Sequence, residues 1–254
     1  MKHRATDIGR IVEWLDRTLK TKQFGDVSNN GVQIACSRTA TDMVAFAVDA
    51  SVRAVEEAAA AGARLLVVHH GISWGGGIRR IEGGVYRVVK AAMDADLAVY
   101  ACHLPLDAHP KLGNNAQLAK RLGLAAAKPA FVYHGETIGL VGRATRATAA
   151  ALAGLAASAP CQPPEETTAL RSGDLVGVCS GGAGEFAEEA QRLGCRVYVT
   201  GEANWGEEVA AANCGMPIVC LGHYETEVWG VRAVAKAMAS ALGVKAVDLT
   251  EVLK

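Results

Sequence analysis

An excess of charge of either sign is missing from this chain. Its 26 basic residues stand against 26 acidic ones, for a net charge of zero. No global field is left to attract a nucleic-acid polymer or an anionic membrane, so neither is an expected partner. Long apolar runs are missing too, since none approaches the roughly 20 residues of a membrane helix. The seven cysteines, at 36, 102, 161, 179, 195, 214 and 220, show no C-x-x-C spacing, which removes zinc ribbons and common redox motifs. Several lie in apolar stretches such as PIVCLG and read as buried, reduced thiols of a cytoplasmic protein. The first twenty residues, MKHRATDIGRIVEWLDRTLK, do not read as a signal peptide, because charges interrupt every apolar stretch. Ile8, Ile11, Val12, Leu15 and Leu19 instead recur at helical spacing and predict an amphipathic first helix. The dinucleotide fingerprint G-x-G-x-x-G and the Walker lysine are absent as well.

What is present is a hydrophobic half, enough for a sizeable core, arranged as a repeat. DMVAFAVDASVRAVEEAAAAGARLLVVHHG (42–71) lies over DLVGVCSGGAGEFAEEAQRLGCRVYVTGEA (174–203) without a gap, EEA upon EEA and Gly62 upon Gly194. Each copy reads strand, turn, alanine-rich helix, glycine stop, strand, which predicts βαβ units and mostly parallel sheets. After each comes a tryptophan-bearing turn (GISWGG, EANWGE), a helix, and a third strand ending in histidine. His103 is followed by Asp107, and His223 by Glu227. The expected fold is α/β with two duplicated lobes: 1–126, rejoined by a C-terminal helix 224–254, and 127–223. The stretch between the copies holds short strands, an alanine-rich helix and an exposed loop at APCQPPEE.

In RLLVVHHGISWGG (64–76) an apolar strand runs into His69 and His70. Ligands of open α/β sheets gather at the carboxyl ends of strands, and a bend at Gly71 would steer both rings into one crevice. The pair by itself also fits one core and one surface histidine. Pro105 argues for a loop through HLPLD, with Asp107 folding back or acting as a turn residue. His223 and Glu227 share a helical face if a helix has begun there, although an acidic residue near a helix N-terminus has a dipole role as well. Pooled, four histidines and two carboxylates at strand ends suit Zn, Fe, Mn, Co or Ni rather than Ca. Two such ions about 3.5–4 Å apart would share a water and generate hydroxide at neutral pH. CSGGAGE (179–185) offers a glycine-rich turn for an anion, or a plain tight turn. Glu202 occupies in the second copy the place of His70 and is a candidate acid/base or supporting group. Trp74 and Trp205 flank the expected crevice, although core packing accounts for them equally.

The segments NNGVQI, VVHHG, HLPLDAHPKLGNNAQLAKRLGL, VCSGGAGE, VTGE and GHYETE resemble, in this order, the NIF-three-like family of dinuclear-metal-centre proteins, many labelled GTP cyclohydrolase I type 2 homologues. The resemblance implies His69, His70, Asp107, His223 and Glu227 as ligands of two divalent ions in a cleft between duplicated lobes. It places His103 beside the site rather than on a metal, and implies a homohexameric ring. A histidine that relatives often carry after the TGE turn is missing from ANWGEE, and GVQ replaces GLQ. The function expected is a metal-dependent hydrolase acting on a small, nucleotide-like molecule, with Glu227 bridging and with His103 and Glu202 positioning or transferring protons. The alternative is a metal-binding or regulatory scaffold without turnover.

Overall fold

Alternating strands and alanine-rich helices build two α/β units. The computed structural model describes residues 5–157, 159, 167 and 169–252. In chain order the elements are β1 (Thr6–Asp7), α1 (Ile8–Leu19), β2 (Gly31–Ile34), β3 (Ala40–Thr41), β4 (Met43–Asp49), α2 (Val52–Ala60), β5 (Leu65–His70), α3 (Gly83–Asp94), β6 (Ala98–Ala101) and α4 (Leu104–Asp107). Then come α5 (Asn114–Arg121), β7 (Ala125–Tyr133), β8 (Glu136–Arg143), α6 (Thr148–Ala156), β9 (Leu175–Gly182), α7 (Ala187–Arg192), β10 (Cys195–Glu202), α8 (Trp205–Cys214), β11 (Ile218–Cys220), α9 (His223–Leu242) and β12 (Lys245–Asp248). The loop expected at APCQPPEE, and Cys161 with it, lies outside the described residues apart from Ala159.

The first unit comprises 1–106 and 231–254. Its sheet runs β12-β4-β5-β6-β2, parallel except for β2. Leu66, Val68, Val99 and Ala101 project into a core with Val55 and Ala58 of α2. The helix starts where Ser51 accepts the Ala54 N–H and stops at Gly62, whose φ of +88° suits glycine. α1 buries Ile8, Ile11, Leu15 and Leu19, as their spacing predicts.

The second unit comprises 107–230, and its sheet runs β11-β10-β9-β8-β7. β9, β10 and β11 are parallel, while β8 and β7 are antiparallel. The duplication is visible in the registers. Val44 pairs Leu65 and Phe46 pairs Val67 in one copy, and the aligned Val176 pairs Val197 and Val178 pairs Val199 in the other.

Three expected boundaries move, one of them because residues 224–230, expected with the first lobe, belong to the second unit. The segment 107–126 joins the second unit rather than the first, because Leu118 and Leu122 of α5 are buried against Val176, Val178 and Leu152. The final helix, expected over 224–254, ends at Leu242, where Gly243 takes a φ of +70° and β12 pairs with β4. Among the described residues no helix is long and apolar enough to cross a membrane.

Candidate metal centre

In the first unit the end of β5 delivers both adjacent histidines. His69 is fully buried, and its Nδ1 lies 2.9 Å from the Cys102 carbonyl oxygen. His70 places Nδ1 2.8 Å from Asp49 Oδ1 on the neighbouring strand β4. Carbonyl and carboxylate oxygens only accept, so Nδ1 carries the proton in each ring, and Nε2 is the nitrogen that could take a cation. The ring centroids are 4.5 Å apart, although strand neighbours start toward opposite faces. His103 joins them, with centroids 5.2 Å from His69 and 5.6 Å from His70, and with Nδ1 2.9 Å from Asp26 Oδ1. The three imidazoles offer nitrogens within 4.8 Å of one another.

Two local expectations are corrected. Gly71 is not in the left-handed region. It is glycine because a Cβ there would collide with the Gln33 side chain, whose Oε1 accepts the N–H groups of Ile72 at 2.7 Å and Ser73 at 3.1 Å. Gln33 thus shapes the turn after the histidines. HLPLD is not a loop but the single helical turn α4, in which Pro105 sits among first-turn positions that need no N–H partner.

The second unit assembles the carboxylates. Asp107 is buried, and its Oδ1 accepts from Asn114 Nδ2 at 2.7 Å and Ser180 Oγ at 3.0 Å. Glu227 is 3% exposed and places Oε1 3.2 Å from His223 Nε2. Asp107 and Glu227 bring carboxylate oxygens within 4.8 Å of each other, an arrangement of buried like charges that a cation relieves. His223 is gripped on both sides, since Nδ1 meets Glu202 Oε1 at 2.9 Å. Glu227, against burial and helped by Glu202, pushes this imidazole up to about 9. Glu202 therefore holds His223 in place. The registers correct the alignment of the two H-x-x-x-(D/E) motifs. Cys102 N bonds Val68 O, and the equivalent Leu221 N bonds Thr200 O, so His103 corresponds to Gly222 and His223 lies one residue beyond it.

The SGGAG turn has its first two amides committed. Ser180 N donates to Asn115 Oδ1 at 2.7 Å and Gly181 N to Thr226 Oγ1 at 3.0 Å. A Cβ on Gly181 would stand 2.6 Å from Glu227 Oε1, and one on Gly182 3.2 Å from Glu202 Oε1. The turn is bare so that carboxylates can lie against it, which repels a phosphate. Trp74 and Trp205 are 38% and 78% exposed, so core packing explains neither.

Imidazole nitrogens and buried carboxylates, both locked by hydrogen bonds, form a donor chemistry that fits divalent ions of the Zn-to-Mn group. Fold and donors together define a two-unit α/β protein with metal-type ligand sets. The family model for Duf34/NIF3 (NGG1p interacting factor 3) matches residues 6–252, and the chain belongs to this family. It is 36% identical to a "GTP cyclohydrolase 1 type 2 homolog" of Halobacterium salinarum, covering 94% of this chain and 96% of that one. A protein of the same description from Deinococcus radiodurans is 38% identical, with 94% and 91% covered. Among solved structures, TTHA1606 from Thermus thermophilus superposes with a TM-score of 0.78 at 30% identity, covering 96% of this chain and 98% of that one.

Sequence reasoning missed Asp26, Gln33, Asn114 and Ser180. Asp26, Gln33 and Ser180 meet partners far along the chain, and although Gln33, Asn114 and Ser180 fall within the quoted NNGVQI, HLPLDAHPKLGNNAQLAKRLGL and VCSGGAGE segments, nothing there named their partners.

Proposed function

We propose that this protein binds two divalent ions, with His69 and His70 of the first unit and Asp107, His223 and Glu227 of the second as ligands, and hydrolyses a small nucleotide-related substrate. The observation that carries the reading is the shared posture of the imidazoles. In His69, His70 and His223, and in the neighbouring His103, Nδ1 meets an oxygen that can only accept, as in metal-binding histidines whose second nitrogen is held by a neighbour. Zn, Fe, Mn, Co and Ni all suit such donors, and when bound they supply Lewis acidity at neutral pH. Glu227, with two oxygens and little exposure, is the residue proposed to bridge. Asn114 and Ser180 orient Asp107, Glu202 orients His223, and His103 accepts or returns a proton. A cytoplasmic homohexamer completes the proposal.

One observation favours the second reading, a metal-binding or regulatory scaffold without turnover. Two amides of the glycine turn that would take a substrate phosphate are already committed, and carboxylates lie against it. The test is to reconstitute the protein with Zn, Mn or Fe and assay nucleoside triphosphates and simple esters, with and without chelator. Turnover lost on chelation, and lost in a folded His69→Ala variant, supports the hydrolase. Bound metal with no turnover across the panel would favour the scaffold.

A further inference from the structure

Asp26 lies in the loop between α1 and β2, outside every donor set described above. Its side chain is 1% exposed, and its two oxygens receive four hydrogen bonds. Oδ1 accepts from Ser28 N at 3.0 Å and His103 Nδ1 at 2.9 Å, and Oδ2 from Asn30 Nδ2 at 2.8 Å and Leu104 N at 2.9 Å. Burial alone would raise this carboxyl. The hydrogen bonds and charge of His103, with Ser28 and Asn30, outweigh it and hold the group below the usual carboxylate range. The other carboxylates that meet a histidine Nδ1, Asp49 and Glu202, are 54% and 62% exposed and can swing away. Asp26 cannot.

The His103 ring is fixed from other directions too. Its backbone N–H donates to Asn30 Oδ1 at 2.8 Å, and Trp74 packs edge-on at a centroid distance of 5.0 Å. The Trp74 indole is itself held by its Nε1–H, which donates to the Gly71 carbonyl at 3.0 Å. The ring stands farther from His69 and His70 than they stand from each other, and at 16% side-chain exposure a solute can reach it.

We propose that Asp26 is the positioning residue of His103, holding the ring as its Nδ1–H tautomer and so presenting Nε2 as a proton acceptor beside the His69–His70 pair. A proton taken from a substrate O–H or N–H forms the Nε2–H bond and leaves its electron pair on the substrate heteroatom. The imidazolium then returns the proton to the leaving group, and Asp26 stays ionised throughout. The use of this acceptor rests on the proposed function, but the posture of the ring does not.

The test is a long-range 1H–15N correlation on full-length, metal-free protein labelled at histidine, with His103→Gln to assign the signals. A protonated Nδ1 and bare Nε2 on wild-type His103, turning to a mixture of tautomers in Asp26→Asn, is the expected result. Wild-type His103 protonated at Nε2 alone would overturn the proposal, whether or not the variant folds. So would a folded Asp26→Asn protein that loses stability while keeping the tautomer, since Asp26 would then be a loop brace only. Zn(II) is added last. Movement of the His69 and His70 Nε2 signals with His103 Nε2 stationary supports its role as acceptor, and a ligand-type shift at His103 refutes it. If no histidine moves, the metal reading fails while the Asp26–His103 posture stands on its own.

Discussion

Gly181→Ala perturbs the carboxylate set without removing a proposed ligand. The glycine has a φ of +71°, and an added Cβ would lie 2.6 Å from Glu227 Oε1 and 3.4 Å from His223 Nε2. The left-handed conformation alone costs a residue with a Cβ about 1–2 kcal/mol. The clash adds to that, because Glu227 is 3% exposed and has little room to retreat. A loss of roughly 1–2 kcal/mol lowers a melting temperature by about 2–4 °C per kcal/mol in a domain of this size. Displacing a ligand or its supporting neighbour typically weakens metal affinity roughly 10–100-fold. Gly135→Ala is the control, with a φ of +83° and nothing within 4 Å of its Cβ. Both variants should melt lower, measured by calorimetry, but only Gly181→Ala should lose Co(II) affinity in equilibrium dialysis. Wild-type affinity in Gly181→Ala, or equal losses in both, would refute the argument that this turn is bare to seat Glu227.

The remaining predictions concern protons, the histidine turn and assembly. Because Glu227 raises His223 to about 9 from an ordinary 6.5, the charged imidazole stabilises the metal-free protein fully below about pH 6.5, and this contribution disappears as pH rises through about 9. Thermal melts should fall across that window more steeply in wild type than in Glu227→Gln, and parallel curves would contradict it. Metal uptake near pH 7 should release a proton from His223, read by calorimetry in buffers of different ionisation enthalpy, and buffer-independent heats would count against ligation there. Gln33→Ala strips the acceptor from the Ile72 and Ser73 N–H groups and should cost about 1–3 kcal/mol in urea unfolding, an unchanged midpoint being the adverse result. Light scattering should return six chain masses, and a monomer would remove the ring from the proposal.

The order of strands and helices was legible because burial writes itself periodically. Leu65 to Val68 announce a strand, Ile8 to Leu19 an amphipathic helix, and the Gly62 and Gly194 stops align because both helices end in the left-handed region. Of the proposed ligands, the paired imidazoles stood out at a strand end, and the full set of five came from the family resemblance. Their supports were not legible. Asp26 meets His103 and Ser180 meets Asp107 across 77 and 73 residues of chain, and a lone polar residue, in a loop or near a strand end, carries no period. The one-residue offset between His103 and His223 also escaped, because similar spacing imitates structural equivalence that only strand register decides. Pro105 misled for the opposite reason: a proline forbids a helix interior but suits a first turn.

The most direct test of the account is metal content per chain, by elemental analysis of untagged, gently purified protein beside His69→Ala and Glu227→Ala. The account predicts near two ions per chain in wild type, falling in both variants while circular dichroism stays unchanged. No bound ion after reconstitution with Zn, Mn and Fe would contradict it.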